Sequence, residues 1–437
     1  MKKVFLWSIV IALGGFLFGF DTAVISGAER AIQVIWNLNV FEHGLTVSIA
    51  LIGTVVGALL GGIPSDRLGR RKTLLGVAAL YLISSLGAAL SPTWLPFLFF
   101  RFLGGLGVGA SSVTAPLYIS EISPARSRGR MVALFQTNVV FGILVAYLSN
   151  YAFEGIGENA WRWMLGVQAV PSLLFLLLLL GVPESPRWLI TKLGKVEEAR
   201  RILQIINPDT FREDVIAIEA SQFANSEQSE NLWAKSNRFP VFLAVVFAFF
   251  NQVSGINAII YYAPRIFEMA GFEKSSSLLS TTGIGLVNFC FTLLAMNFID
   301  RFGRRTLMLI GSFGVIGTLA LVARAFYTQQ FDAVPYYLFV YIAFFAFSQG
   351  AVIWVFISEI FPNSVRAKGQ ALGSFTHWFM AALIAFTFPY LSEQLGGGHT
   401  FSFFAIMMFL QLIFVWRIMP ETKGTSLEQM DKTLVIH

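Results

Sequence analysis

Asp66-Arg67-Leu68-Gly69-Arg70-Arg71 decides the fold, because the chain carries it twice. It returns as Asp300-Arg301-Phe302-Gly303-Arg304-Arg305. Both copies sit in short polar gaps between long apolar runs. Two further pairs keep nearly the same spacing. Ile119-Ser120-Glu121-Ile122-Ser123-Pro124 is matched by Ile357-Ser358-Glu359-Ile360-Phe361-Pro362, and Pro183-Glu184-Ser185 by Pro420-Glu421-Thr422. The three offsets are 234, 238 and 237 residues, so the chain reads as a parallel duplication.

The medium around the duplicated bundle follows from composition. Of 437 residues, 56% are hydrophobic and 13% charged, with mean hydropathy +0.68. A soluble domain carries roughly 25% charged residues to cover its surface; half of that leaves too little polar surface to face water on all sides. The chain is therefore expected to be an all-α membrane protein. Runs of about 20 apolar residues, the length needed to cross a bilayer, lie near 5–27, 46–64, 73–91, 95–118, 131–152 and 162–182. Six more lie near 238–268, 278–299, 306–328, 335–361, 369–392 and 400–420. Met1-Lys2-Lys3 before an apolar run looks like a leader, but no small-residue cleavage site follows, so a retained first helix is expected. Twelve transmembrane helices in two pseudo-symmetric six-helix halves result, and folds built from such repeats generally hold a small solute where the repeats meet.

The one long polar stretch, 190–237, contains the charged amphipathic pattern Lys195-Val196-Glu197-Glu198-Ala199-Arg200-Arg201-Ile202-Leu203 and is expected to be a helical cytoplasmic linker. It separates an N-terminal bundle, 1–189, from a C-terminal bundle, 238–423, with a short cytoplasmic tail at 424–437. With the N-terminus inside, about 25 of the 31 basic residues fall in cytoplasmic segments, as the positive-inside rule expects; both termini are then cytoplasmic. The net charge of +6 is topological rather than a nucleic-acid footprint. Cys290, the single cysteine, excludes an intrachain disulfide and is expected to pack inside the bundle. No metal-ligand cluster, nucleophile elbow or catalytic carboxylate pair stands out. His43, His377, His399 and His437 are scattered, so neither an enzyme nor a metal or cofactor site is expected.

Taken together, the chain resembles the sugar porter family of the major facilitator superfamily over essentially its whole length. The resemblance rests on Gly19-Phe20-Asp21-Thr22-Ala23-Val24-Ile25-Ser26-Gly27, the two Asp-Arg-x-Gly-Arg-Arg loops and Pro183-Glu184-Ser185-Pro186-Arg187-Trp188-Leu189. It rests also on Asn251-Gln252-Val253-Ser254-Gly255-Ile256-Asn257 with Tyr261-Tyr262, and on Pro420-Glu421-Thr422-Lys423-Gly424. It implies the major facilitator fold and a carrier working by alternating access, the spans numbered 1, 4, 7 and 10 moving most.

Asp21 lies mid-helix among apolar residues, and an intramembrane carboxylate is a functional candidate in search of a partner. Arg101, early in the fourth run, is the partner expected. An opposite charge favours the ionised carboxylate and desolvation the protonated one, so a proton site whose affinity depends on conformation is one reading. A fixed ion pair holding two helices together is the other. The resemblance favours the first, because this position is Asp in bacterial proton-coupled members and Asn in mammalian facilitators. Gly104, Gly105, Gly107 and Gly109 are expected to allow close helix packing.

A sugar needs groups that both donate and accept, with aromatics over its apolar faces. The seventh run supplies Asn251, Gln252 and Asn257, with Tyr261 one turn on. The resemblance adds Gln136, Asn288, Gly350, Trp354, His377 and Trp378 as pocket positions. The bland alternatives are interhelical hydrogen-bond glue for the amides and packing for the tryptophans. Three departures put the sugar's identity in doubt: Asn251 and Ile143 stand where the family usually has Gln, and Gly350-Ala351 replaces a Gly-Pro step. The family also implies a cytoplasmic gate of charged groups that latches and parts with the transport cycle. It would consist of Asp66, Arg67, Gly69, Arg70, Arg71, Glu121, Arg128 and Glu184 in the first half. Asp300, Arg301, Gly303, Arg304, Arg305, Glu359, Arg366 and Glu421 would be its counterparts in the second. The alternative is a topology signal with ordinary surface pairs.

The function expected is proton-coupled symport of a pentose or hexose. An uncoupled facilitative uniporter and a sugar-binding sensor are the alternatives, and sensors tend to carry longer cytoplasmic tails than the dozen or so residues after Thr425. The expected partners are a sugar, protons and the lipid bilayer, with no nucleic acid, and a monomer is expected. Short loops without a glycosylation sequon point to a bacterial inner membrane.

Overall fold

The computed structural model describes residues 2–124, 127–224, 231–362 and 365–423, except for the side chains of 221–224 and of Asp300. The expected tail and the Asp300 carboxylate thus lie outside the described residues. Among those residues all regular structure is helical. Twelve helices are long and apolar enough to cross a membrane: Lys2–Ile35, Val40–Leu60, Arg70–Leu90, Trp94–Ile122, Arg128–Ile156, Ala160–Leu179, Lys235–Met269, Lys274–Ile299, Arg304–Thr328, Val334–Glu359, Arg366–Gln394 and Gly396–Arg417. They are the first to twelfth spans below. The exposed face of these helices is apolar, as in Leu59, Leu90, Phe99 and Phe313, which suits lipid contact.

Two differences from the sequence expectation are instructive. The first helix runs on past residue 27 to Ile35, through Glu29, Arg30 and Gln33. Charge alone suggested an end there, but Glu29 is buried and paired with His43, so it does not break the helix. Cys290, expected inside, is exposed on the eighth span. A small thiol is mildly apolar, but buried Asn288 and Thr292, two residues to either side, mark the opposite face as the inward one.

The linker is helical, with Pro186–Leu193, Val196–Ile206 and Phe211–Ala224. Ser185 caps the first of these, its hydroxyl accepting the Trp188 N–H at 3.2 Å, with Pro186 opening the helix. The second buries Ala199, Ile202, Leu203 and Ile206 along one face, the period of an amphipathic helix.

Contacts divide the chain into two compact units. One comprises Met1–Thr22, Ile52–Ala146 and Arg162–Ser229; the other comprises Ala23–Leu51, Tyr147–Trp161 and Glu230–His437. In the first unit, the first and fifth spans meet backbone to backbone. A Cβ on Gly19 would stand 1.8 Å from the Val139 carbonyl oxygen, and one on Gly142 would stand 2.0 Å from that of Phe16. Each glycine fits against the other helix's backbone, and no larger residue could.

Candidate functional site

In the second unit the seventh span is broken, and the break builds a polar cluster. Helix Arg238–Gln252 ends, and Ile256–Met269 starts anew after Gly255 at φ +85°. A Cβ there would also meet the Phe404 ring at 2.6 Å, so glycine is required twice over. Such breaks free backbone groups that must find other partners inside a membrane. Tyr341 donates its hydroxyl to the Ser254 carbonyl at 3.0 Å, and the Ser254 hydroxyl accepts the Ile256 N–H at 3.3 Å. Pro264 has no N–H to give the carbonyl of Ile260; the Tyr147 hydroxyl donates to it instead, at 2.7 Å.

Asn251, Gln252 and Asn257 flank the break, all buried. The Gln252 amide donates to Asn251 Oδ1 at 2.8 Å and faces His377 Nδ1 at 3.0 Å, while its oxygen accepts from Asn257 Nδ2. The same amide nitrogen lies 3.3 Å from His377 Nε2, so the imidazole presents its edge to Gln252. The rings of Trp354 and Trp378 lie against His377, each with its centroid 4.8 Å away. Trp354 and His377 are only half-buried. Amides that donate and accept thus stand beside His377 and the two indoles packed on it, from three different spans.

Among the other expected pocket residues, Tyr261 is fully buried next to the kink at Tyr262, and Asn288 is buried in the eighth span. Gly350 opens the second part of the tenth span, packed near Phe345. Gln136 is half-buried on the fifth span and belongs to the first unit.

In the first unit Asp21 and Arg101 meet as expected. Arg101 Nη1 donates to Asp21 Oδ1 at 2.8 Å and Nη2 to the Asp21 backbone carbonyl at 3.2 Å, both residues being 1% exposed. The Nε–H of Arg101 has no hydrogen-bond partner among the described residues. Gly104, one turn along, makes room: a Cβ there would crowd the Ser84 hydroxyl at 2.5 Å and Asp21 Oδ1 at 3.3 Å.

The repeated motifs fold into the same charge cluster in each unit. Arg70 forks onto Glu121, with Nε to Oε2 at 2.9 Å and Nη2 to Oε1 at 3.1 Å, and reaches Asp66 at 3.0 Å. Arg304 forks onto Glu359 at 3.0 and 2.7 Å. Glu184 accepts the backbone N–H groups of Arg70 and Arg71 at 2.9 and 3.1 Å; Glu421 accepts those of Arg304 and Arg305 at 2.9 and 3.0 Å. Each carboxylate caps the positive end of a membrane helix. Gly69 (φ +97°) and Gly303 (φ +86°) are the turns that present those N–H groups, and a Cβ on either would strike the capping carboxylate at 2.4 or 2.5 Å. Arg71 donates to the Leu179 carbonyl at 3.2 Å and Arg305 to that of Val415 at 3.3 Å. Arg67, Arg128 and Arg301 are exposed, and Arg366 donates to the Phe361 carbonyl.

Sequence reasoning passed over three features. Gln349 and Gln411 are buried and bonded to one another at 3.0 Å, with Gln349's carbonyl accepting from Asn251 at 3.4 Å. Tyr341 and Tyr147 serve the broken seventh span. Glu29, His43 and Arg265 meet in the second unit. Charge or amide inside an apolar run was a usable signal for the first and third of these.

Comparison with known proteins agrees with this architecture along the entire chain. The profile of a family described as "Sugar (and other) transporter" matches residues 7–434. The chain is 38% identical over 446 residues to an arabinose-proton symporter of Bacillus subtilis (strain 168), covering 99% of this chain and 95% of that one. It is 35% identical over 467 residues to a D-xylose-proton symporter of Escherichia coli (strain K12), covering 98% and 95%. A structure of the E. coli xylose transporter XylE in a partially occluded inward open conformation matches with a TM-score of 0.87 and 35% identity, over 98% of this chain and 100% of that one. A match of this length and identity, on a fold of twelve spans with a duplicated charge cluster, places the chain in the Sugar (and other) transporter family.

Proposed function

We propose that the protein is a proton-coupled monosaccharide symporter working by alternating access between two six-helix halves, 1–189 and 238–423, joined by the 190–237 linker. The observation that carries the sugar reading is the cluster of Asn251, Gln252 and Asn257 beside Trp354, His377 and Trp378. Paired donors and acceptors suit ring hydroxyls, and indoles suit the C–H faces. Gln136, Tyr261, Asn288 and Gly350 complete the proposed pocket. Asp21 carries the proton: its ionised form is held by Arg101, and a movement that loosens that bond favours its protonated form. The duplicated clusters around Arg70 and Arg304 are the proposed cytoplasmic gate. Both termini lie in the cytoplasm, the protein works as a monomer in a bacterial inner membrane, and no catalysis is assigned to it.

A second reading has a specific observation behind it. Arg101 grips the backbone carbonyl of Asp21 as well as its carboxylate, as a fixed strut would, and on that reading the protein is an uncoupled uniporter. Uptake of a panel of pentoses and hexoses into proteoliposomes, with and without an imposed pH gradient, separates the two. The symporter accumulates its sugar above the outside concentration only when the outside is acidic. Asp21→Asn should abolish that accumulation and keep sugar exchange. A uniporter equilibrates its sugar, ignores the gradient and is little changed by the substitution.

A further inference from the structure

Three ionisable side chains outside the sites above converge in the second unit. Glu29 lies on the first span, His43 on the second and Arg265 on the later half of the seventh. Glu29 and His43 are 1% and 0% exposed; Arg265 is less buried. His43 Nε2 bonds to Glu29 Oε2. His43 Nδ1 lies 3.2 Å from Arg265 Nη1, which also donates to Gln33 Oε1 at 3.1 Å and stands 3.7 Å from Glu29 Oε2. The start of the second span is fixed by a reciprocal cap. Asn39 Oδ1 accepts the Glu42 N–H at 2.9 Å, and Glu42 Oε2 accepts the Asn39 N–H at 3.0 Å. His43 therefore projects from a rigid turn.

These contacts assign the protons. A guanidinium is donor-only and a carboxylate acceptor-only. His43 must accept with Nδ1 and donate with Nε2, which makes it the neutral imidazole bridging an anion and a cation. A second proton has only Nδ1 to occupy. There it would point at an Arg265 N–H, setting two donors and two positive charges face to face, with the one carboxylate already engaged. The other groups around the imidazole give no relief. The Tyr262 ring stands edge-on at 6.0 Å with its hydroxyl committed to the Ala385 carbonyl, and Glu42 is held in the cap. The eleventh span approaches with Phe386 and Phe388, which carry no charge. Arg30 and Glu268 pair with each other beside the cluster. A cavity of about 490 Å³ lined by Arg30, Gln33, Val34, Arg265, Glu268 and Met269 gives the displaced guanidinium somewhere to go.

We infer that Glu29, His43 and Arg265 form a second proton-binding site, a latch in which protonation of His43 expels Arg265 and frees Ile256–Met269 from the first two spans. Glu29 and His43 belong to the first repeat and Arg265 to the second. The latch therefore rests on the proposed alternation of the two repeats, and it makes parting of these helices sensitive to acidity independently of Asp21.

The test uses the full-length protein in lipid vesicles, with Cys290→Ser and spin labels at Val34→Cys and Ser275→Cys, both exposed positions. Distances are read at neutral pH and in acid. The longer-distance population should grow several-fold in acid, persist in Asp21→Asn and vanish in His43→Gln, which keeps a neutral donor and acceptor. Arg265→Gln leaves the Glu29–His43 bond in place and should show the longer distance at both pH values. An acid response that is absent in the parent, unchanged in His43→Gln or lost in Asp21→Asn overturns the latch, as does an Arg265→Gln protein that behaves like the parent. The distances need no sugar, so failure to transport any sugar sinks the proposed function without deciding this measurement.

Discussion

At the residue scale the strongest constraint is the buried pair Asp21–Arg101. Desolvating two ions is costly, and the pair is tolerated because Arg101 finds both a carboxylate and a backbone carbonyl. Removing one partner strands the other. Arg101→Ala is expected to destabilise the protein by about 3–5 kcal/mol, read as a fall in the thermal midpoint in detergent, and well beyond what Asp21→Asn costs, since an amide oxygen still accepts from Nη1. Glu184 makes a gentler case. Its oxygens serve the first N–H groups of the third span and its own neighbour Ser185. Glu184→Ala should cost about 1–2 kcal/mol, the range of a lost helix cap. Glu184→Gln, which keeps one acceptor oxygen, should cost less in the same melt.

The seventh span shows how an element can be shaped by what it lacks. Gly255→Ala forces a side chain into a left-handed turn and against Phe404; it should destabilise by at least about 1–2 kcal/mol. Tyr147→Phe strips the Ile260 carbonyl of its donor and should cost about 1–3 kcal/mol. Pro264→Ala returns an N–H in place to serve that carbonyl, so the double variant should lose less than the two single losses added together, a coupling that a double-mutant cycle in thermal melts would expose. Much of this element was legible beforehand. The amides Asn251, Gln252 and Asn257 stood out in an apolar run, and the existence of twelve spans followed from run length; the break at Gly255 did not, because 238–268 reads as one continuous span. The hydroxyl donors did not, because Tyr147 and Tyr341 sit far away in sequence and look like any aromatic in a membrane helix. Nor did the length of the first helix. Glu29 reads as a terminus until the structure supplies His43, which sequence spacing could not bring to it. Cys290 was readable in principle: Asn288 and Thr292, two residues to either side and both buried, put it on the opposite, exposed face of the helix.

For the molecule as a whole, the paired motifs at near-constant offset became paired geometry. Arg70, Glu121 and Glu184 repeat as Arg304, Glu359 and Glu421 with bonds that match to within a few tenths of an ångström. The sequence could announce that symmetry because each cluster is local to one repeat. It was silent on which sugar is carried, since Asn251 and His377 of the proposed pocket depart from the residues the resemblance would put there. If coupling runs through Asp21, dissipating the pH gradient with a protonophore should return accumulated sugar to the outside concentration in the parent protein and leave Asp21→Asn unaffected. The contact of Gly19 with Val139, and of Gly142 with Phe16, bears on how that coupling travels. A joint made of main chain on main chain has no rotamer to absorb a displacement, so it has no play. Asp21 stands two residues past Gly19, and Gln136 three residues before Val139. If Asp21 moves during transport, bare backbone is what passes that shift toward Gln136 of the proposed pocket.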